Sequence, residues 1–140
     1  MQRFAAASSI IFTALLLAVP SAWARPVDWQ PAAISDDHTS WLFLDRSSIV
    51  RKDKKVSVRV LLEYDQPQPG MVETNNVPYR RVRSLMSFDC DAKTLLLLEE
   101  EYLDGEQQLL GQLDASAATW DPVLPESLIE PVYDAVCTKK

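Results

Sequence analysis

Histidine occurs once in this chain, glycine three times and cysteine twice, and each scarcity removes a class of chemistry. Structural zinc takes four ligands, so two distant cysteines and the lone His38 do not make such a site. Gly70, Gly105 and Gly111 are too dispersed for a loop that cradles phosphate with successive backbone amides. Past residue 24 no apolar run approaches the roughly 20 residues of a membrane-spanning helix. Even Leu95-Leu96-Leu97-Leu98 runs straight into Glu99-Glu100-Glu101.

What is present reads as one small exported domain. Of 140 residues, 47% are apolar and 24% charged, the balance of a soluble globular fold. Arg3, an uncharged apolar stretch from Phe4 to Val19, Pro20 and Ala22-Trp23-Ala24 form the three parts of a secretory signal peptide cut after Ala24. We therefore expect residues 1–24 to be removed and residues 25–140 to form the domain, the alternative being an uncleaved anchor. No cysteine adjoins the cleavage point to take a lipid, so release into the periplasm is expected, with the cell surface or secretion as further possibilities. The mature part carries 13 basic against 20 acidic residues, a net charge of −7, which argues against nucleic acid as a partner. In an oxidising compartment Cys90 and Cys137 make the smallest even set, and a single internal disulfide is expected.

From Arg25 onward apolar residues alternate with polar ones, the period of strands with one buried face. Val27 to Ile34 predicts a first strand, placed at an edge or bulged because Pro31 lacks a backbone donor. Trp41 to Leu44 predicts a second, Asp45-Arg46-Ser47-Ser48 a tight bend, and Ile49-Val50-Arg51 a brief extended piece. After the charged turn Lys52-Asp53-Lys54, Val56, Val58, Val60 and Leu62 form one apolar face. Gln66 to Pro78, rich in proline, glycine and asparagine, reads as a long exposed loop, either functional or a tolerated insertion. Tyr79 to Cys90 and Leu95 to Leu103 form a hairpin. With Asp91-Ala92-Lys93 as its loop, Phe88 lies opposite Leu96, Met86 opposite Leu98, Val82 opposite Tyr102 and Arg83 opposite Glu101. Gly105 allows a turn into a last strand from Gln107 to Leu113, and Pro122 and Pro125 keep the next stretch extended. Ile129, Val132, Tyr133 and Val136 then fall on one stripe of a short helix, started by a Ser127/Glu130 capping box or by Glu130 before Pro131. A Cys90–Cys137 bridge would pin that helix to the sheet. The expected fold is thus α+β, an antiparallel sheet of about six strands with a C-terminal helix fastened to one face.

Few residues invite catalysis. A Ser-His-Asp arrangement would need His38, beside Asp36 and Asp37 in a polar turn, and an exposed loop histidine is the plainer reading. Glu99, Glu100 and Glu101 alternate across a strand and do not converge on one calcium ion; pairing with Arg81 and Arg83 is expected instead. Trp29, Trp41 and Trp120 suit binding anchors, but in a small domain core duty is expected first.

Phe43-Leu44-Asp45 with Ser48-Ile49, the strand ending Glu63-Tyr64, Phe88-Asp89-Cys90, Tyr102, Trp120, Pro125-Glu126-Ser127 and Val136-Cys137 together resemble the surface-adhesin protein E family. The resemblance spans nearly the whole mature chain and implies a six-stranded antiparallel sheet with a C-terminal helix held by the matching cysteines, Cys90 and Cys137. It also implies a module that binds host matrix or serum proteins such as vitronectin and laminin, with no catalytic, cofactor or metal residues, although its founding members are lipoproteins and this chain lacks the lipidation cysteine. The expected function is an exported, non-catalytic binding module with a protein partner. A periplasmic envelope accessory protein and a small hydrolase are the alternatives.

Overall fold

The structure is a computed structural model, and it describes residues 26–138; the expected signal peptide, 1–24, lies outside the described residues. Seven strands and one helix follow in order: β1 (Trp29–Ile34), β2 (Ser40–Lys52), β3 (Lys55–Gln68), β4 (Tyr79–Asp89), β5 (Thr94–Leu103), β6 (Leu109–Leu113), β7 (Asp121–Pro122) and α1 (Glu130–Cys137). The first six pair antiparallel with their sequence neighbours, and β7 joins the outer side of β5 at Thr94 and Leu95. No helix among the described residues is long and apolar enough to cross a membrane.

Alternation decides which face becomes core. Leu42 and Leu44 on β2, Val56, Val58 and Val60 on β3 and Phe88 on β4 are buried together with Val123, Val132 and Val136. Each such side chain contributes about 1.5–3 kcal/mol when taken out of water. The cover over this face is α1, eight residues long and too short to be stable alone. It is held at both ends. Cys137 is bonded to Cys90, with Cα atoms 5.4 Å apart, and the Arg51 guanidinium donates to the Val136 carbonyl. One turn earlier the Tyr133 hydroxyl donates to the Cys90 carbonyl at 2.8 Å. At the N-terminal end Lys93 Nζ reaches Glu130 Oε1 at 3.1 Å.

The helix uses neither expected cap, starting two residues after Ser127 and one before Glu130. Ile129 is the N-cap and offers no side-chain bond. The Ser127 hydroxyl donates to the Leu124 carbonyl, while Glu130 Oε2 accepts the Glu126 amide at 2.7 Å, so the sequence pattern serves the turn before the helix. Other boundaries also differ from the alternation. Trp41–Leu44 and Ile49–Arg51 belong to one strand, β2, and Asp45–Ser48 is a bulge within it: register jumps between the Asp45/Arg59 and Val50/Ser57 pairs. The first strand starts two residues after Val27, at the sheet edge, and has its bulge between Pro31 and Ala33.

The β4–β5 hairpin has a register slip. Val82/Tyr102 and Arg83/Glu101 pair as expected, but Met86 lies opposite Leu97 and Phe88 opposite Leu95. The loop takes in Cys90 as well, closing at Asp89/Thr94, and the extra residue is absorbed at Leu98. A run of four leucines carries no alternation that would reveal this. The last long strand begins at Leu109 because Gln107 is in the turn with φ 66°.

Gln66 to Pro78 is not a long exposed loop. Strand β3 extends to Gln68, which pairs with Tyr79, and Val72–Thr74 makes one 3-10 turn. Asn75 and Asn76 take the left-handed conformation that ends it. Thr74 is fully buried, and its hydroxyl accepts the Met71 amide at 2.9 Å. The turn rests on β6, where a Cβ built on Gly111 would sit 1.6 Å from the Glu73 carbonyl oxygen. Beneath it Tyr64, Tyr79 and Tyr102 stack edge-on with centroids 6.1 and 5.2 Å apart.

Two predictions follow from this packing. Cys137→Ser removes a cross-link that closes about 48 residues, worth ~4 kcal/mol in the chain-entropy model. Thermal unfolding of the oxidised mature protein and the variant should differ by at least about 15 °C; matching melting temperatures would contradict the role given to the bridge. Gly111→Ala should displace the 3-10 turn and cost about 1–3 kcal/mol, as overpacking does. Urea denaturation reads this, and a fully stable variant would show that the turn is not seated there.

Candidate interaction surface

Side chains that alternate with the core occupy the opposite face of the sheet, which no helix among the described residues covers. The register aligns them in rows: Trp41, Glu63, Arg81 and Leu103; Phe43, Leu61, Arg83 and Glu101; Asp45, Arg59, Leu85 and Glu99. Trp41, Phe43, Leu61 and Leu85 are half-buried there, lying among charged neighbours. A shallow groove of about 440 Å³ crosses this face between Trp29, Arg59, Leu85 and Glu99.

Charge on the face is largely matched across strands. Arg83 donates to Glu101 at 2.7 Å, as the sequence suggests, and the same carboxylate accepts from Gln112. Arg81 pairs with Glu63 at 3.0 Å and not with the glutamate run; its other donors go to the carbonyls of Asp104 and Gly105. Glu100 points to the helix side, where its carboxylate accepts the hydroxyls of Tyr102 and Ser84. Burial, reinforced by the bond to Glu100, raises the Tyr102 phenol well above its ordinary range. Among the described residues no group of three or more histidine, cysteine, aspartate or glutamate side chains could hold a metal ion.

The side-chain oxygens of Asp45 and Ser48 cap backbone donors, as this stretch of sequence suggests, but within a bulge rather than a bend, and Asp45 organises the margin of this face. Its buried carboxylate accepts the amides of Asp28 and Ser47 at 2.9 and 3.0 Å and the Ser47 hydroxyl at 2.6 Å. Ser48 completes the bulge, donating to the Asp45 carbonyl and accepting the Arg59 amide. Burial works to raise the Asp45 carboxyl. The Ser47 hydroxyl, the two amides and the Arg59 charge outweigh it and hold the group below the usual carboxylate range. The signal in the sequence is Asp-x-Ser-Ser, which the spacing reads as a turn and the structure uses as a bulge cap.

The residues with catalytic potential serve the β1–β2 turn. His38 is exposed with φ 57°, and Asp37 accepts the hydroxyls of Ser35 and Thr39 at 2.6 and 2.8 Å. Those bonds, Ser35 first, lower its pKa; Asp36 lies exposed beside them. The tryptophans are not core, contrary to expectation. Trp29 and Trp41 lie half-buried on or beside the helix-free face, and Trp120 is 39% exposed with Lys55 Nζ 5.1 Å from its ring centre. Leu42 and Leu44 take the inward positions that their neighbour Trp41 would otherwise fill.

The sequence model for the family described as Surface-adhesin protein E matches residues 29–138. The chain belongs to that family. Solved structures of Haemophilus influenzae protein E share its fold. One matches with a TM-score of 0.58 at 15% identity, covering 81% of this chain and 92% of the other. A second crystal form gives 0.57 at 14% identity, covering 81% and 93%. Protein E from non-typeable Haemophilus influenzae gives 0.55 at 16% identity, covering 81% and 80%. No curated protein sequence matches the chain. Membership of the adhesin E family implies a surface-exposed or exported protein.

The Asp45 network has a pH signature. A carboxyl held below its unfolded pKa of about 3.9 stabilises the fold above that pH, and the contribution disappears as pH falls through the folded value. Asp45→Asn keeps an oxygen acceptor but removes the charge. Urea unfolding at pH 7 and pH 3 should therefore show a smaller acid loss in the variant than in the native protein; equal losses would contradict this assignment.

Proposed function

We propose that this protein is an exported, non-catalytic module that binds another protein through the uncovered part of its sheet, as a surface adhesin does. One observation carries the reading: the adhesin E family match spans residues 29–138, almost all of the described domain, so no separate catalytic unit needs to be accounted for within it. The arrangement of side chains supports it. The helix and disulfide stabilise one face, leaving half-buried Trp41, Phe43, Leu61 and Leu85 on the other among paired arginines and glutamates. Aromatic and arginine side chains are the types that dominate protein interfaces. The family resemblance points to a matrix or serum protein such as vitronectin or laminin as the partner outside the cell, with an envelope protein as the alternative within it. Export follows the expected signal peptide, with the periplasm as the first compartment reached.

The test is protease digestion of the tagged protein on intact cells and on cells with an opened outer membrane, combined with capture of immobilised matrix proteins by the purified oxidised domain. Digestion on intact cells and saturable capture are expected of an adhesin. Protection until the membrane is opened, with no capture, would replace this reading by a periplasmic accessory role.

A further inference from the structure

The sheet ends in two edges that differ in how they are protected. Edge strand β1 contains Pro31, is bulged beside it, and runs next to α1; proline and bulges are devices that stop a further strand from adding. Edge strand β6, Leu109-Leu110-Gly111-Gln112-Leu113, has no proline and no charged residue and runs beside no α-helix; it is five residues long and carries one bulge at Leu110, between the Tyr102/Gly111 and Leu103/Leu109 pairs. Among the described residues its one strand partner is β5. The 3-10 turn packs on it through Gly111, but none of the turn's backbone hydrogen bonds goes to β6. Leu109 is 54% exposed and Gln112 is also exposed. Among the described residues, 109–113 make no backbone hydrogen bond beyond their ladder with β5.

The sequence that forms and flanks that edge is charged in one sense. Between Lys93 and Lys139 the chain has ten acidic residues and no basic one. Asp104 and Glu106 sit at the turn entering β6, and Asp114 follows directly after it. Asp104 and Asp114 accept amides of their own turns, of Glu106 and Gln108 and of Ser116, which fixes their positions at the two ends of the strand. Of the nearby arginines on β4, Arg81 and Arg83 are engaged by Glu63 and Glu101, while Arg80 lies against Gly105 with its guanidinium turned to the Tyr64 and Asp65 carbonyls.

We infer that β6 is a docking edge at which an extended protein segment bearing alternate lysine or arginine residues adds as a further strand. Backbone hydrogen bonds supply affinity that tolerates sequence variation, and the acidic ends select for basic side chains. A second copy of this chain is the poorer occupant. Its own β6 is bounded by acids at both ends, so pairing in either direction brings like charges together. The inference rests on the reading of this protein as a protein-binding module and names the segment chemistry and the place.

The test uses the oxidised mature protein and a labelled peptide of alternating lysine and valine, about nine residues long to span an ordinary strand. Expected are saturable binding that weakens as salt rises, and new amide hydrogen-exchange protection confined to residues 109–113. The same peptide with glutamate in place of lysine, or N-methylated on alternate residues so that one edge lacks donors, should bind at least about tenfold more weakly. Glu106→Lys combined with Asp114→Lys, both at exposed sites, should have a similar effect while the domain still unfolds in one cooperative transition, its midpoint lowered only by the lost Asp114 bond to the Ser116 amide. No saturable binding, equal binding of the N-methylated peptide, or protection elsewhere would overturn the inference. Self-association that protects β6 in the absence of peptide would overturn it in favour of a second copy. If the double variant still captured a matrix protein at full strength, the edge would be excluded while the module reading stood.

Discussion

The sheet has two faces, and among the described residues one eight-residue α-helix is there to cover them. That shortage shapes the rest of the molecule. The helix cannot persist by itself, so it is fixed at its last residue by the Cys90–Cys137 bond and at its first by the Lys93–Glu130 pair. Between those ends Val132 and Val136 close over Val58, Val60 and Phe88. The far end of the same face is sealed differently. The 3-10 turn lies across Tyr64, Tyr79 and Tyr102, and a glycine at position 111 lets its backbone come down onto β6.

The other face is left to a compromise that suits binding. Its apolar side chains Trp41, Phe43, Leu61 and Leu85 are half-buried rather than buried, and two of its arginines, Arg81 and Arg83, find carboxylates on neighbouring strands. Such a face tolerates water and can also be covered. Charge without partners collects beyond Lys93, around β6 and α1. The fold thus separates a cross-linked face that maintains the structure from the open face and edge on which the proposed binding rests.

Much of this was legible in the residues because a single physical rule, period-two alternation, governs most of the chain. Val56, Val58 and Val60, the Arg83/Glu101 pair and the stripe on α1 all lie where alternation or helical spacing places them. What escaped has a local cause each time. Asp45 and Ser48 cap a bulge with their side chains, and spacing cannot distinguish that from a turn. Leu95 to Leu98 lacks a polar marker, which hid the register slip at Leu98. Thr74 is buried by a segment whose composition is that of an exposed loop. The tryptophans misled because size suggests core, whereas strand parity assigns Trp41 to the face opposite Leu42. Docking edges are invisible to spacing, since they depend on which strand ends the sheet.

The central claim is that the sheet's stability depends on the helix being held against it. Native-state hydrogen exchange of the mature protein, oxidised and then reduced, tests this directly. The account predicts that on reduction the slowest amides of β3 and β4 lose protection together with those of α1, by up to roughly a thousandfold if the full ~4 kcal/mol of the cross-link is removed. Loss confined to α1, with the slowest sheet amides unchanged, would show a sheet that stands without its helix and would contradict the account.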